Sequence, residues 1–147
     1  MTQLSPHFSL EELTHSDVAV RNGYDNTPDE ATILNLTRLA EFLERVKRLL
    51  NDKPVMISSA YRSKQVNDAV GSKDTSQHRL GCAADIRVPG MTPDQVTQAI
   101  MGSGLPFDQV IREFNSWTHV SVPNREGEQP RGQALIIDKE GTRIYTA

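Results

Sequence analysis

Three side chains of this sequence could hold a metal ion between them: His78, Asp85 and His119. Two neutral imidazoles and one carboxylate are a common donor set for catalytic zinc, and they leave a fourth position open for water. His78 and Asp85 fall in "SQHRLGCAAD", residues 76–85, and His119 in "WTHV", residues 117–120. Between the first two lie Gly81, Cys82, Ala83 and Ala84. Glycine permits a backbone conformation that other residues resist, and the small side chains let the segment pass close to its neighbours. A histidine hydrogen-bonded in its loop, followed by an aspartate capping a strand, would have the same spacing. The spacing alone therefore leaves both readings open. Cys82 is the single cysteine, which excludes an internal disulfide and a thiolate zinc cluster, so a metal site must use histidines and carboxylates. With no activating base beside it in the sequence, Cys82 reads as a small buried filler. His7 and His15 belong to no motif and read as surface residues of an N-terminal arm, and Trp117 reads as packing beside the site.

The elements that must position these residues follow from pattern and punctuation. "SPHFSLEELTHSDVA" reads as an arm with a short helix capped by Ser9, since Glu12 stands three residues on. Over "NTPDEATILNLTRLAEFLERVKRLLND" the expected cap is Thr27, with Pro28 first in the helix and Glu30 closing a capping box. Ile33, Leu36, Ala40, Leu43, Val46 and Leu50 recur at helical spacing and predict a core-packing helix to about residue 51. "VMISSAYR" predicts a strand, "SKQVNDAVG" a short helix ended by Gly71, and "SKDTSQ" a loop that carries His78. "AADIRV" reads as a strand begun by Asp85's neighbours, and "MTPDQVTQAIMGSG" as a helix capped by Thr92 with Pro93 first. "FDQVIREF" and "WTHVSV" read as strands around a turn at Asn115-Ser116, and "GQALIIDKEGTRIYTA" as a closing hairpin. Helices and antiparallel strands without regular βαβ alternation predict the α+β class.

Composition limits the functions available. A chain of 147 residues, 37% hydrophobic and 24% charged, suits one globular domain over 1–147, with residues 1–25 as the arm. A net charge of −3 argues against a nucleic-acid-binding surface. No apolar run reaches the roughly 18 residues of a membrane span. "MTQLSPHFSLEEL" lacks a basic region followed by an apolar run, so the expectation is a chain without a signal peptide, made in the cytoplasm. The sequon at Asn35-Leu36-Thr37 lies in the amphipathic helix and reads as chance.

"SQHRLGCAAD" resembles the Ser-x-His-x-x-Gly-x-Ala-x-Asp signature of the zinc D-alanyl-D-alanine carboxypeptidases, a family that includes vancomycin-resistance D,D-dipeptidases and phage L-alanyl-D-glutamate endolysins. "WTHV" resembles the family's Trp-x-His signature, and "ISSAYRS" its "SGYRS" strand end, with Ala60 where glycine is usual. The three motifs keep the family's order, and the resemblance runs from the N-terminal arm to residue 122. It implies the small α+β zinc fold shared with the hedgehog signalling domain. It also implies that His78, Asp85 and His119 are zinc ligands, that Arg62 stabilises a developing oxyanion, and that Ser76 helps hold substrate. The implied activity is hydrolysis of peptide bonds in bacterial peptidoglycan, of the D-Ala-D-Ala or L-Ala-D-Glu type. A monomer acting on the cell wall after release, or carried by a phage, fits that activity.

The sequence departs from the resembled pattern at the general base. In the dipeptidases and endolysins a glutamate stands three residues before the last ligand, and here that position is Ser116. Glu113 is the nearest upstream carboxylate, with Asp108 further away. Side chains alternate faces along a strand, and opposed residues share a face. A two-residue turn at Asn115-Ser116 would oppose Glu113 to Thr118 and turn it away from His119. A three-residue loop, 114–116, would oppose it to Trp117 and return it to the shared face. Glu113 is the expected base on that condition. Ser116 keeps a second class open, a non-catalytic wall-binding or phage structural module of the same fold. A metal-free His/Asp hydrolase would need a nucleophile beside a histidine, and only Ser76 stands near one.

Overall fold

The computed structural model describes residues 2–146. Its elements are β1 (Gln3–Ser5), β2 (Phe8–Ser9), α1 (Leu10–Thr14), α2 (Asp17–Asn22), α3 (Glu30–Leu49), β3 (Met56–Ser59), α4 (Lys64–Ala69), α5 (Gln77–Leu80), β4 (Ala83–Arg87), α6 (Pro93–Met101), β5 (Gln109–Glu113), β6 (Trp117–Ser121), β7 (Gln133–Asp138) and β8 (Gly141–Ile144). The class is α+β. A six-stranded sheet in the order β3-β4-β6-β5-β7-β8 packs against α3 and α6, and β1-β2 form a separate antiparallel pair.

α3 carries the core. Leu36, Leu39, Ala40, Leu43 and Val46 are buried along one face, each burial stabilising by about 1.5–3 kcal/mol for the larger side chains. Ile33, in the first turn, is only half-buried. The cap is Asp29 rather than Thr27: its carboxylate accepts the Thr32 N–H at 2.8 Å, and helix geometry begins at Glu30. A carboxylate there satisfies an orphan donor and complements the helix dipole as well, and it leaves Pro28 outside the helix. Thr92 is the expected cap with Pro93 in the first turn, and Gln95 makes it a full capping box, which the sequence reading does not anticipate.

The sheet is antiparallel except for β5 and β7, which run parallel with Gln109 opposite Gln133 and Glu113 opposite Ile137. A parallel pair needs a crossover, here the β6 excursion and the 122–132 loop. Alternation divides each central strand between two environments. Ala84, Ile86, Val110 and Val120 belong to the core formed with α3 and α6. Asp85 is paired directly with His119, and His119 with Ile111, on the other face. β3 is shorter than the sequence pattern suggests, ending at Ser59 with an irregularity between Ile57 and Ser59. The remaining Ala60–Ser63 stretch leaves the sheet and turns into α4. The arm is tied to α3 through buried Glu44, which accepts from Ser5 Oγ at 2.6 Å and the His7 backbone N–H at 2.6 Å, and lies 2.7 Å from His7 Nδ1. No helix among the described residues is long and apolar enough to cross a membrane.

Candidate active site

His78 stands on α5, a single helical turn, rather than in a loop. Ser76 caps it, its Oγ accepting the His78 N–H at 3.2 Å. Gly81 ends it in the left-handed conformation, φ +76°. A Cβ at Gly81 would stand 3.0 Å from both Leu36 Cγ and Thr32 Cγ2, so glycine is required there by backbone and by space. The turn is held from outside by Arg62, whose backbone N–H donates to the His78 carbonyl at 3.0 Å. His78 Nδ1 lies 2.7 Å from the Ala60 carbonyl oxygen. An N–H must occupy that contact, so Nδ1 carries the proton and Nε2 presents its lone pair.

That lone pair faces Asp85 and His119. His78 Nε2 lies 3.3 Å and His119 Nδ1 3.0 Å from Asp85 Oδ1. The two rings meet edge-on with centroids 5.1 Å apart. One donor atom from each of the three residues lies within 4.8 Å of the others, and all three are buried. Burial lowers the His78 pKa, which keeps the ring neutral and able to donate. Burial would raise Asp85, but the histidine rings on either side of it outweigh this and hold the carboxyl well below the usual range. A buried convergence of two imidazoles and an ionised carboxylate, with no apolar filler between them, fits a divalent metal of the zinc type.

Two more charged groups complete the cluster. Arg62 Nη2 lies 3.7 Å from Asp85 Oδ2, while Nε donates to Ser59 Oγ at 3.3 Å. Glu113 Oε1 lies 3.7 Å from His119 Nδ1. The turn after β5 has three residues, 114–116, and Glu113 pairs with Trp117. Phe114 and Asn115 take left-handed φ of 52° and 50° to make it. The condition that places Glu113 on the face of His119 is therefore met. Burial first, then the neighbouring Asp85 charge, raises the Glu113 carboxyl above its ordinary value. The Trp117 indole N–H lies near enough to lower it slightly, yet is buried without a hydrogen-bond partner among the described residues. Ser116, where the resembled families have glutamate, is exposed, and its Oγ donates to the Phe114 carbonyl at 3.2 Å.

The cluster opens into a cleft of about 780 Å³ whose walls include Ser16, Arg21, Ser76, Arg87 and Trp117. Ser76 thus both caps α5 and lines the cleft. Asp108, the alternative base, is not a cleft residue. It is bound by Arg131, with Nη2 at 2.7 Å, and by Gln77 Nε2 at 3.1 Å. His15 is exposed, lies 3.0 Å from Asp17 Oδ1 and reaches the cleft rim, while His7 is occupied with Glu44. Cys82 is fully buried, and burial raises its thiol pKa. Arg87 and α2 were not singled out by motif. Strand alternation from Asp85 was the signal that would have found Arg87.

The family model described as Peptidase M15 matches residues 6–121, a span that contains α5, β4, β5, β6 and every residue of the cluster. The chain belongs to the peptidase M15 family. A search of curated proteins finds no matching relative.

Proposed function

We propose that this protein is a zinc peptidase that hydrolyses peptide bonds in the stem peptides of bacterial peptidoglycan. The observation that carries the reading is the joint placement of a buried His-Asp-His donor set, Glu113 3.7 Å from His119, and Arg62 3.7 Å from Asp85. Membership in a peptidase family supports it. His78 Nε2, an Asp85 oxygen and a His119 ring nitrogen would hold the metal, which when bound supplies Lewis acidity toward water and the peptide carbonyl.

The chain's own groups divide the remaining work. Glu113 accepts a proton from the attacking water and returns it to the leaving amine, a role suited to a carboxyl that burial raises above its ordinary value. Arg62 presents a fixed positive charge where the carbonyl oxygen becomes negative. Its guanidinium is anchored by Ser59 and Asn67, so little reorganisation accompanies the reaction. Ala60 fixes the His78 tautomer through its carbonyl oxygen, as an outer partner of a ligand does. Ser76 offers a hydroxyl oxygen at the cleft wall. The Glu113 placement favours this reading over a non-catalytic module, for which no carboxylate near the donor set is needed.

Purified peptidoglycan digested with the zinc-loaded protein, with and without a chelator, tests the reading when products are identified by mass spectrometry. Chelator-sensitive release of D-Ala assigns a carboxypeptidase. New N-terminal D-Glu on released peptides, with L-Ala left on the glycan, assigns an endopeptidase. No products from a protein that binds one zinc would sink the catalytic reading in favour of a binding module.

A further inference from the structure

The cleft has more cations than its donor set uses. Its lining includes Arg21, Arg62 and Arg87 against Asp17, Asp85 and Glu113. Arg62 is paired with Asp85, and Asp17 with His15. Arg87 and Arg21 have no acidic partner among the described residues. A bound divalent metal would add two further positive charges, so the loaded cleft attracts anions.

Arg87 is the better placed of the two. It follows Asp85 by two residues on β4, so it shares the donor set's face about 7 Å further along the strand. The last β4–β6 pair is Ile86 with Thr118. One step further puts Arg87 beside Trp117, in the row that ends at Glu113. Its Nε donates to the Ser116 carbonyl at 2.8 Å. That bond fixes the side chain against the 114–116 loop and leaves both terminal nitrogens as an end-on fork, the geometry that holds a carboxylate by two parallel hydrogen bonds.

A carboxylate on the first residue past a scissile carbonyl lies one to two residue lengths away, at roughly 3.3–3.6 Å each, the same scale as the backbone step from Asp85 to Arg87 along β4. Both stem-peptide bonds considered above place one there. The leaving D-Ala of a D-Ala-D-Ala end keeps its own carboxylate. D-Glu joined onward through its side chain keeps its α-carboxylate. We propose that Arg87 anchors a free carboxylate on the residue that follows the scissile bond, and so makes the enzyme prefer stem peptides in which that group is an acid over those in which it is an amide. This inference rests on the peptidase reading above.

The test uses the zinc-loaded full chain and two synthetic stem peptides that differ only in an acid or an amide at that carboxyl. kcat/KM is measured for each, and binding to the Glu113→Gln protein is followed by calorimetry to read recognition apart from turnover. The expected result is an acid preference of about tenfold or more, carried mainly by KM, of the size charge-assisted hydrogen bonds give. In Arg87→Gln the preference collapses towards one, Arg87→Lys keeps part of it, and Arg21→Gln keeps it. Equal cleavage of acid and amide by the unaltered protein overturns this inference alone. So does a preference that survives Arg87→Gln, or one erased by Arg21→Gln instead. If neither peptide is bound or cleaved, the peptidase reading falls and this inference with it.

Discussion

Glu113 pairs with Trp117 across a three-residue loop, and this single register step puts its carboxylate 3.7 Å from His119 Nδ1 instead of on the far face of the sheet. The loop achieves it by placing two consecutive non-glycine residues, Phe114 and Asn115, in left-handed backbone. Such conformations cost of order 1 kcal/mol each. Phe114 is 54% exposed, so its side chain does little to offset that cost, although its N–H donates to the Ile137 carbonyl at 2.7 Å and ties the loop to β7.

Glu113→Gln keeps the size and shape of the side chain but removes the proton acceptor. Peptide hydrolysis should fall by about 10²–10⁴-fold, while zinc content and thermal midpoint stay near those of the unaltered protein. Steady-state rates and metal analysis on the same preparation check this. Full activity would transfer the base role elsewhere and leave Glu113 as a structural carboxylate.

His119→Ala should abolish stoichiometric zinc binding, because two remaining donors make a poor site. Metal that binds the folded donor set and not the unfolded chain adds stability by mass action. A chelator should therefore lower the melting temperature of the unaltered protein and leave that of His119→Ala unmoved. A chelator shift of the same size in both proteins would place the metal somewhere other than His78, Asp85 and His119.

How much of this was legible in the sequence differs by element. The α3 core face could be read because twenty helical residues repeat one pattern, whereas the three donors emerged as a set only through the motifs of the resembled family, since their types and spacing alone left a plain loop histidine equally open. α5 could not be read, since four residues are too few to show a period, so His78 reads as a loop residue until Ser76 and Gly81 are seen to cap a turn. The face of Glu113 depended on loop length, and nothing in Phe114-Asn115-Ser116 announces left-handed backbone at Phe114. The parallel β5–β7 pair is a nonlocal choice that alternation within either strand does not encode. Arg87 was hidden because an arginine at a strand end reads as solvent-facing until the cleft beside it is known.

Gly81→Ala tests the turn that presents His78. An alanine would face positive φ and contacts of 3.0 Å with Leu36 and Thr32 in the core-packing helix. The expected cost is about 1–3 kcal/mol, read as a lower denaturant midpoint with unchanged slope. Zinc affinity should weaken as well, because α5 must shift to admit the methyl group and His78 shifts with it. A variant as stable as the parent, with unaltered zinc affinity, would show that α5 does not depend on this close approach.

Asp108 gives a pH prediction away from the donor set. Burial acts to raise its pKa, but Arg131 hydrogen bonds through side chain and backbone, and the net displacement is downward. A folded pKa below the unfolded one, near 3.9, means that the unfolded state binds more protons in this range. The stabilisation is then fully present above the unfolded value and is lost as pH falls through the lower folded value. Asp108→Asn removes that titration. The stability difference between the parent and Asp108→Asn should be widest above about pH 5 and shrink steadily below pH 4, measured by urea unfolding across the range. A difference that stays constant from pH 7 to pH 3 would mean that the Asp108–Arg131 pair contributes through shape and packing, with no net preference for the ionised carboxylate.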